Sequence, residues 1–264
     1  MPTLSENNSP LIIGHRGASA LAPENTMAAF DLAIEAGADG IEFDVHLTRD
    51  GVPVVIHDDT LLRTGGMSRH ISEMSLSELS GIDVGSWFQL NRRKGIFSGQ
   101  TIPTLTGLLR WAAAKSTFVY LEMKSGPNQR EVLAEAVAES LEHFALKDRV
   151  IIESFDLDAI KIVKALTPNI KTAALFEPSV LTPPGFRTRR LLGLAADAQA
   201  NELALHHRLV NERLAARAKA EGFKVVVWTV DDPKWINKAR ELEIAALITN
   251  NPALLVAQRN TVTG

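Results

Sequence analysis

A chain of 264 residues with 45% hydrophobic and 22% charged residues can bury a sizeable core, and its length suits one large domain over residues 1–264. The net charge of −3 and the shortness of the densest basic cluster, Arg187, Arg189 and Arg190, exclude a nucleic-acid partner on electrostatic grounds. No apolar run approaches the ~20 residues of a membrane span, the opening MPTLSENNSP lacks the basic and apolar segments of a secretory leader, and the absence of cysteine precludes disulfides, so a cytoplasmic location is expected.

The first apolar run, LIIGH at 11–15, reads as a strand. Gly14 and Gly17 relieve crowding where it ends and the chain turns. Asn25 or Thr26 then caps a helix whose apolar positions Met27, Phe30 and Ile34 recur at helical spacing, with Gly37 as its stop. His15 at the strand's C-terminal end, followed by Arg16, sets a proton-transfer group beside an anion-binding one.

Residues 40–47 and 52–57 are two strands joined through Arg49-Asp50-Gly51-Val52, and Asp-Gly between such runs is a strong hairpin signal. With Asp50 and Gly51 as the two loop residues, Arg49 faces Val52 and Asp44 faces His57. Glu42, Asp44 and His57 then share one face, while Ile41, Phe43 and Val45 enter an apolar layer. Two adjacent carboxylates repel each other. A hard divalent cation such as Mg²⁺ or Ca²⁺, which prefers oxygen ligands, resolves the conflict.

Residues 60–105 interrupt the alternation of strands and helices. They hold Gly-Gly, one short helix capped by Ser75, and the aromatics Trp87, Phe88 and Phe97 without period, as a functional insertion would. Beyond them LTGLLRWAAA is helical, FVYLEMK is a strand, and 129–144 is helical. Along the strand at 118–123, Tyr120, Glu122 and Lys124 share a face. The apolar neighbours bury it, and buried charge needs partners, so Glu122 suits a third metal carboxylate.

Further strands are expected at 150–155, 171–176, 202–206, 224–230 and 245–249. Asp156 and Asn211 cap helices, Asp231 or Asp232 with Pro233 starts another, and Asn250-Asn251-Pro252 starts the last. His206 and His207 read as structural or rim histidines. Nine strands, less the antiparallel return at 52–57, leave eight for a parallel barrel. The candidate residues fall near the C-terminal strand ends, where barrel active sites form.

The motifs H-R-G at 15–17, P-E-N-T at 23–26 and E-x-D-V-x-x-T-x-D-G-x-P-V-x-x-H-D at 42–58 together resemble the glycerophosphodiester phosphodiesterases, of the phospholipase-C-like group of TIM barrels. The similarity recurs at Glu122-x-Lys124, Ser154-Phe155 and Trp228-Thr229. It implies an α/β fold, a TIM (β/α)8 barrel with a β-hairpin on strand 2, and residues 60–105 as a lid over the active site. It also implies metal-dependent hydrolysis of a glycerophosphodiester to an alcohol and glycerol 3-phosphate, a small-molecule substrate. His15 and His57 would act as general acid and base. Glu42, Asp44 and Glu122 would hold one divalent ion, Mg²⁺ or Ca²⁺ with Mn²⁺ as a further option. Arg16 and Lys124 would bind the phosphate, and Trp228 and Phe155 would wall the substrate pocket. A lysophospholipase D acting on lysolipids shares this apparatus, whereas a barrel that only binds phosphate esters should lack one of the two histidines or three acids. The family's T-D-x-P stands here as Thr249-Asn250-Asn251-Pro252, in which Asn can still cap a helix.

Overall fold

The computed structural model describes residues 9–90, 93–126, 128–144, 146, 148–178 and 184–263. The polar start at 1–8 and residues 179–183 of the proline-rich loop lie outside the described residues. In chain order the first half comprises β1 (Leu11–His15), α1 (Met27–Glu35), β2 (Gly40–Leu47), β3 (Pro53–Val55), the short helices α2 (Leu62–Gly65) and α3 (Leu76–Leu79), the two-residue strands β4 (Gln89–Leu90) and β5 (Arg93–Lys94), α4 (Leu105–Lys115) and β6 (Phe118–Met123). The second half comprises α5 (Arg130–Glu142), β7 (Val150–Ser154), α6 (Leu157–Leu166), β8 (Lys171–Phe176), α7 (Pro184–Asp197), β9 (Glu202–His206), α8 (Glu212–Ala220), β10 (Lys224–Trp228), α9 (Trp235–Glu241), β11 (Ala246–Thr249) and α10 (Pro252–Thr263).

Strand β1 pairs in parallel with β2 on one side and with β11 on the other, which closes eight parallel strands into a barrel. Strand parity then sorts the side chains. Ile13, Ile151, Leu175, Val226 and Ile248 fill the interior. Their neighbours Ile12, Ile152, Val225 and Leu247 pack outward against the helices, as do Ile41, Phe43 and Val45 of β2. Phe30 of α1 meets Phe43 edge-on at 6.0 Å, a favoured aromatic geometry. Inside the barrel the Tyr120 hydroxyl donates to Glu202 Oε2 at 2.9 Å, giving that buried carboxyl a partner. The TIM barrel expected of the family is therefore present.

Thr26 caps α1 by accepting from Ala29 N, and Ser75, Asp156 and Asn211 cap α3, α6 and α8. One start differs. Helix α9 begins after Lys234, which offers no side-chain cap; of the two candidate starters, Asp231 is engaged by Thr249 Oγ1 and by both the backbone and side-chain amides of Asn250, while Asp232 Oδ1 accepts from Lys234 N at 2.9 Å in the turn that leads into the helix. Strand β10 ends at Trp228 rather than at 230, since the next backbone bond, from Val230 N to Ile248 O, belongs to the loop.

The hairpin also differs, by one residue. Val45 faces Val55, His46 faces Val54 and Leu47 faces Pro53, so the loop is three residues, Arg49 to Gly51, with Gly51 at φ 78° in the left-handed region. Asp44 consequently stands opposite Ile56, whose N–H donates to the Asp44 carbonyl at 3.0 Å, and not opposite His57. The cause is local: the Thr48 hydroxyl donates to Asp50 and accepts from Val52 N, while Asp50 also accepts from Leu76 N of α3. Asp50 is thus tied to the insertion as well as to the turn.

The insertion builds a core of its own on the outer side of β3, from Val54, Ile56, Leu61, Ile71, Met74, Leu79, Val84 and Ile102. Trp87, Phe88 and Phe97 stack edge-on in series at 5.7 and 5.8 Å. They pack the insertion and are not among the residues lining the cavity at the barrel mouth.

Candidate active site

The cavity at the C-terminal end of the barrel, about 180 Å³, is lined by His15, Arg16, Glu42, His57, Glu122, Lys124, Glu153, Phe155, Leu175, Glu177, Trp228 and Ile248. Eight of the nine residues expected from the sequence are on its wall. The ninth, Asp44, lies fully buried directly behind Arg16 and Lys124.

His15 ends β1, and the chain turns sharply after it. Arg16 adopts a left-handed φ of 55°, a conformation costing a non-glycine residue of order 1–3 kcal/mol, and this aims its backbone N–H at Glu42 Oε2, 2.9 Å away. Gly17 follows at φ 80°, so close to α1 that a Cβ would meet the Ala29 backbone carbon at 2.5 Å. Only glycine lets this turn lie on the helix.

The orientation of His15 can be read from its partner. Asn250 Nδ2 donates to Asp231 Oδ2 at 2.8 Å, so Asn250 Oδ1 faces His15 Nδ1 at 2.7 Å and also accepts from Ser19 Oγ. The Nδ1 atom must then carry the proton, leaving the Nε2 lone pair toward the cavity. Burial first, then the neighbouring Arg16 charge, lower the His15 pKa to about 4 despite the Asn250 hydrogen bond.

His57 is positioned differently. It follows β3 where the chain leaves the ladder, and its Nδ1 lies 2.7 Å from Asp58 Oδ1. A carboxylate can only accept there, so His57 too carries its proton on Nδ1 and turns Nε2 outward. His57 remains close enough to Asp44 to favour that group's ionisation. The convergence expected from the hairpin holds, although the one-residue shift means that the loop after β3, not the ladder, produces it.

Parallel register brings Asp44 beside Glu122 and Glu122 beside Glu153. One carboxylate oxygen each from Glu42, Asp44 and Glu122 fall within 4.8 Å of one another. Lys124 Nζ stands 2.8 Å from Glu122 Oε1 and 3.2 Å from Asp44 Oδ1, and Arg16 Nε 3.2 Å from Asp44 Oδ2. Asn25, itself at a positive φ of 56°, donates to Asp44 Oδ2 at 2.8 Å.

These surroundings separate the acids. Burial opposes ionisation of Asp44, but Arg16 and Lys124 outweigh it and hold the carboxyl below its usual range. Burial, then the charges of Asp44 and Glu153, push Glu42 well up. Glu122 is raised to about 7, by burial and then by Asp44, against the pull of Lys124. Three buried carboxylates share two cations, and Asp44 Oδ1, ion-paired with Lys124 at 3.2 Å, has no hydrogen bond of good geometry. An all-oxygen donor set of three buried carboxylates, one oxygen of which lacks a hydrogen bond, fits a hard divalent cation such as Mg²⁺ or Ca²⁺.

At the other end of the cavity Phe155 meets Trp228 edge-on at 5.6 Å, and Trp228 meets His206 at 5.3 Å. His206 stacks on His207 at 4.2 Å, and His207 Nδ1 lies 3.1 Å from the Thr229 carbonyl oxygen. This is the rim arrangement expected of the pair.

Sequence reasoning missed Glu153, fully buried with Oε2 unpartnered. Its signal was parity: in VIIES it shares the inward face of Ile151, opposite Ile152. The contact of Asn250 with His15 carried no local signal.

The chain matches the model of the glycerophosphoryl diester phosphodiesterase family over residues 15–254. It is 32% identical over 246 residues to a glycerophosphodiester phosphodiesterase of Caldanaerobacter subterraneus, covering 93% of this chain and 96% of that protein. Among solved structures, a phosphodiesterase of Oleispira antarctica in complex with the product sn-glycerol-3-phosphate superposes with a TM-score of 0.83 at 29% identity, over 96% of this chain and 97% of that one. A glycerophosphodiester phosphodiesterase of Agrobacterium tumefaciens gives a TM-score of 0.77 at 26% identity, over 94% and 99%. From the family match over residues 15–254 and this full-length similarity, the chain belongs to the glycerophosphoryl diester phosphodiesterase family of phosphoric diester hydrolases.

Proposed function

We propose that this cavity hydrolyses small glycerophosphodiesters to an alcohol and glycerol 3-phosphate, with His15 as general base, His57 as general acid and one divalent cation held by Glu42, Asp44 and Glu122. The observation that carries the reading is the pair of differently supported histidines lining one cavity together with Glu42, Glu122, Arg16 and Lys124, with Asp44 completing a cluster of three carboxylates behind them. The product held by the Oleispira antarctica relative supports a glyceryl phosphate as its occupant.

A phosphodiester resists hydrolysis because its anionic charge repels the nucleophile and its alkoxide leaves poorly. Arg16 and Lys124 offset the charge that builds on the phosphoryl oxygens. A bound divalent ion would supply Lewis-acid polarisation of a phosphoryl oxygen. His15 Nε2, an acceptor kept neutral by burial, removes the proton of the attacking hydroxyl, from water or from the substrate's own glycerol. His57 can hold a proton on Nε2 while Asp58 stabilises the imidazolium through Nδ1, and it returns that proton to the departing alkoxide. One P–O bond forms and one breaks, and each histidine finishes in the other's starting state. When the glycerol hydroxyl attacks first, the cyclic diester is opened by water with the two roles reversed. Trp228 and Phe155 present an apolar wall to the carbon skeleton.

Phosphorus NMR of glycerophosphocholine turnover tests the assignment. The reading expects glycerol 3-phosphate and free choline. Phosphocholine as the product would overturn it, and turnover of a lysophospholipid with none of the small diester would replace it by a lysophospholipase D.

A further inference from the structure

Arg63, on α2 of the insertion, lies outside the cavity lining yet connects both sides of the site. Its Nη1 and Nη2 donate to Glu24 Oε2 and Oε1 at 2.7 and 2.8 Å, and its Nε and Nη2 donate to Asp58 Oδ2 and Oδ1 at 2.7 and 3.0 Å. Both carboxylates are thus gripped through two oxygens by one planar fork, the geometry arginine provides and lysine cannot. Glu24 also accepts from Arg16 Nη1 at 2.9 Å, and Asp58 accepts from His57 Nδ1 at 2.7 Å. The result is an alternating row, Arg16, Glu24, Arg63, Asp58, His57. The Trp87 ring, 5.6 Å from the guanidinium carbon, backs Arg63 from within the insertion.

We propose that Arg63 is a positioning residue, which holds the phosphate-facing Arg16 and the proton-carrying His57 in register through Glu24 and Asp58 and so makes the docked insertion a requirement for turnover. This rests on the roles assigned above to Arg16 and His57. The side chain is 40% exposed, and exposed ion pairs contribute little to stability. Geometry, not folding free energy, is what the row secures. The row also accounts for the P-E-N-T motif, in which Glu24 carries Arg63's influence to Arg16, while Asn25 donates to Asp44 and Thr26 caps α1. Without Arg63, Glu24 and Asp58 lose the cation between them, Asp58 is free to turn to solvent, and His57 loses its fixed Nδ1 partner.

The test compares the parent with Arg63→Ala, Arg63→Lys and, as a control on the same insertion, Arg69→Ala, whose exposed side chain pairs with Glu78, away from the row. With glycerophosphocholine, Arg63→Ala is expected to lower kcat on the order of 10²-fold, as misplacement of a catalytic group by about 1 Å does, and to raise KM through Arg16. Its melting temperature should stay near the parent's, millimolar guanidinium should restore part of the rate while methylammonium does not, and Arg63→Lys should stay impaired. Arg69→Ala should match the parent. A readout free of turnover is the His57 Nδ1 proton, expected as a downfield resonance in the parent and absent in Arg63→Ala. An unchanged kcat, an unchanged resonance, or a loss accompanied by collapse of the melt and untouched by guanidinium would overturn the proposal. If the parent itself leaves the diester intact, the functional reading fails, and the resonance alone decides whether Arg63 positions His57.

Discussion

His15 and His57 are the same residue type with different partners at Nδ1, and the proposed mechanism gives them different roles on that ground. A neutral amide holds His15 and a carboxylate holds His57. Replacing either by alanine should lower turnover by ~10²–10⁴, the range for losing a general acid or base, while substrate still binds. Steady-state kinetics beside equilibrium binding checks this, and an unchanged rate would make that histidine structural. Burial of His15 also has a pH signature. Its pKa is about 4 in the folded chain against roughly 6.5 unfolded. Between these values the unfolded chain takes up a proton that the folded one refuses, so stability falls as pH drops from about 6.5 to about 4 and is unaffected by this group above that window. Melting curves should show the dependence, and His15→Gln should flatten it. Most of these side chains were legible because each sits beside its strand's apolar alternation, as Glu42 and Asp44 do among Ile41, Phe43 and Val45. Asn250 was not. It stands 235 positions from His15, and in the sequence it offers only a helix start, a role that Asn251 fills by accepting from Leu254 N.

At the scale of elements, caps and strand parity proved readable while the turn register did not. Thr26, Ser75, Asp156 and Asn211 cap their helices because each offers an oxygen to an N–H that the helix leaves unpaired. The Asp50-Gly51 pair suggested a two-residue loop, but Asp50 is drawn to Thr48 and Leu76, and the second of these lies in an insertion whose docking no hairpin rule contains. A slip of one residue exchanges the faces of a strand. Here the damage is limited because β3 spans only Pro53–Val55 and His57 lies beyond it. The turn from β1 into α1 makes a sharper prediction. Gly17→Ala combines a left-handed φ of 80° with a Cβ driven to 2.5 Å from the Ala29 backbone. It should cost more than the roughly 1–3 kcal/mol of the backbone conformation alone and shift Arg16 off Glu42. Denaturant unfolding with kinetics checks this, and a variant of parental stability would show that the turn is not packed as described.

For the whole molecule, the strand count carried the fold: eight parallel strands after removal of the hairpin return, closed by β1 between β2 and β11. That closure gathers residues from across the chain at one mouth, so His15, Glu42, Glu122, Glu153 and Trp228 share a cavity. Among the described residues no helix is long and apolar enough to cross a membrane. One carboxylate oxygen each from Glu42, Asp44 and Glu122 lie within 4.8 Å of one another, a set that could hold a metal ion. Metal-dependent hydrolysis is the central claim of the proposed function. Its most direct test is glycerol 3-phosphate release from glycerophosphocholine after chelation with EDTA and stepwise return of Mg²⁺, Ca²⁺ or Mn²⁺, with Glu42→Ala in parallel. The account predicts loss of activity on chelation, recovery with at least one of these ions, and no recovery in a folded Glu42→Ala variant. Full turnover by the chelated parent, or by the chelated variant, would contradict it.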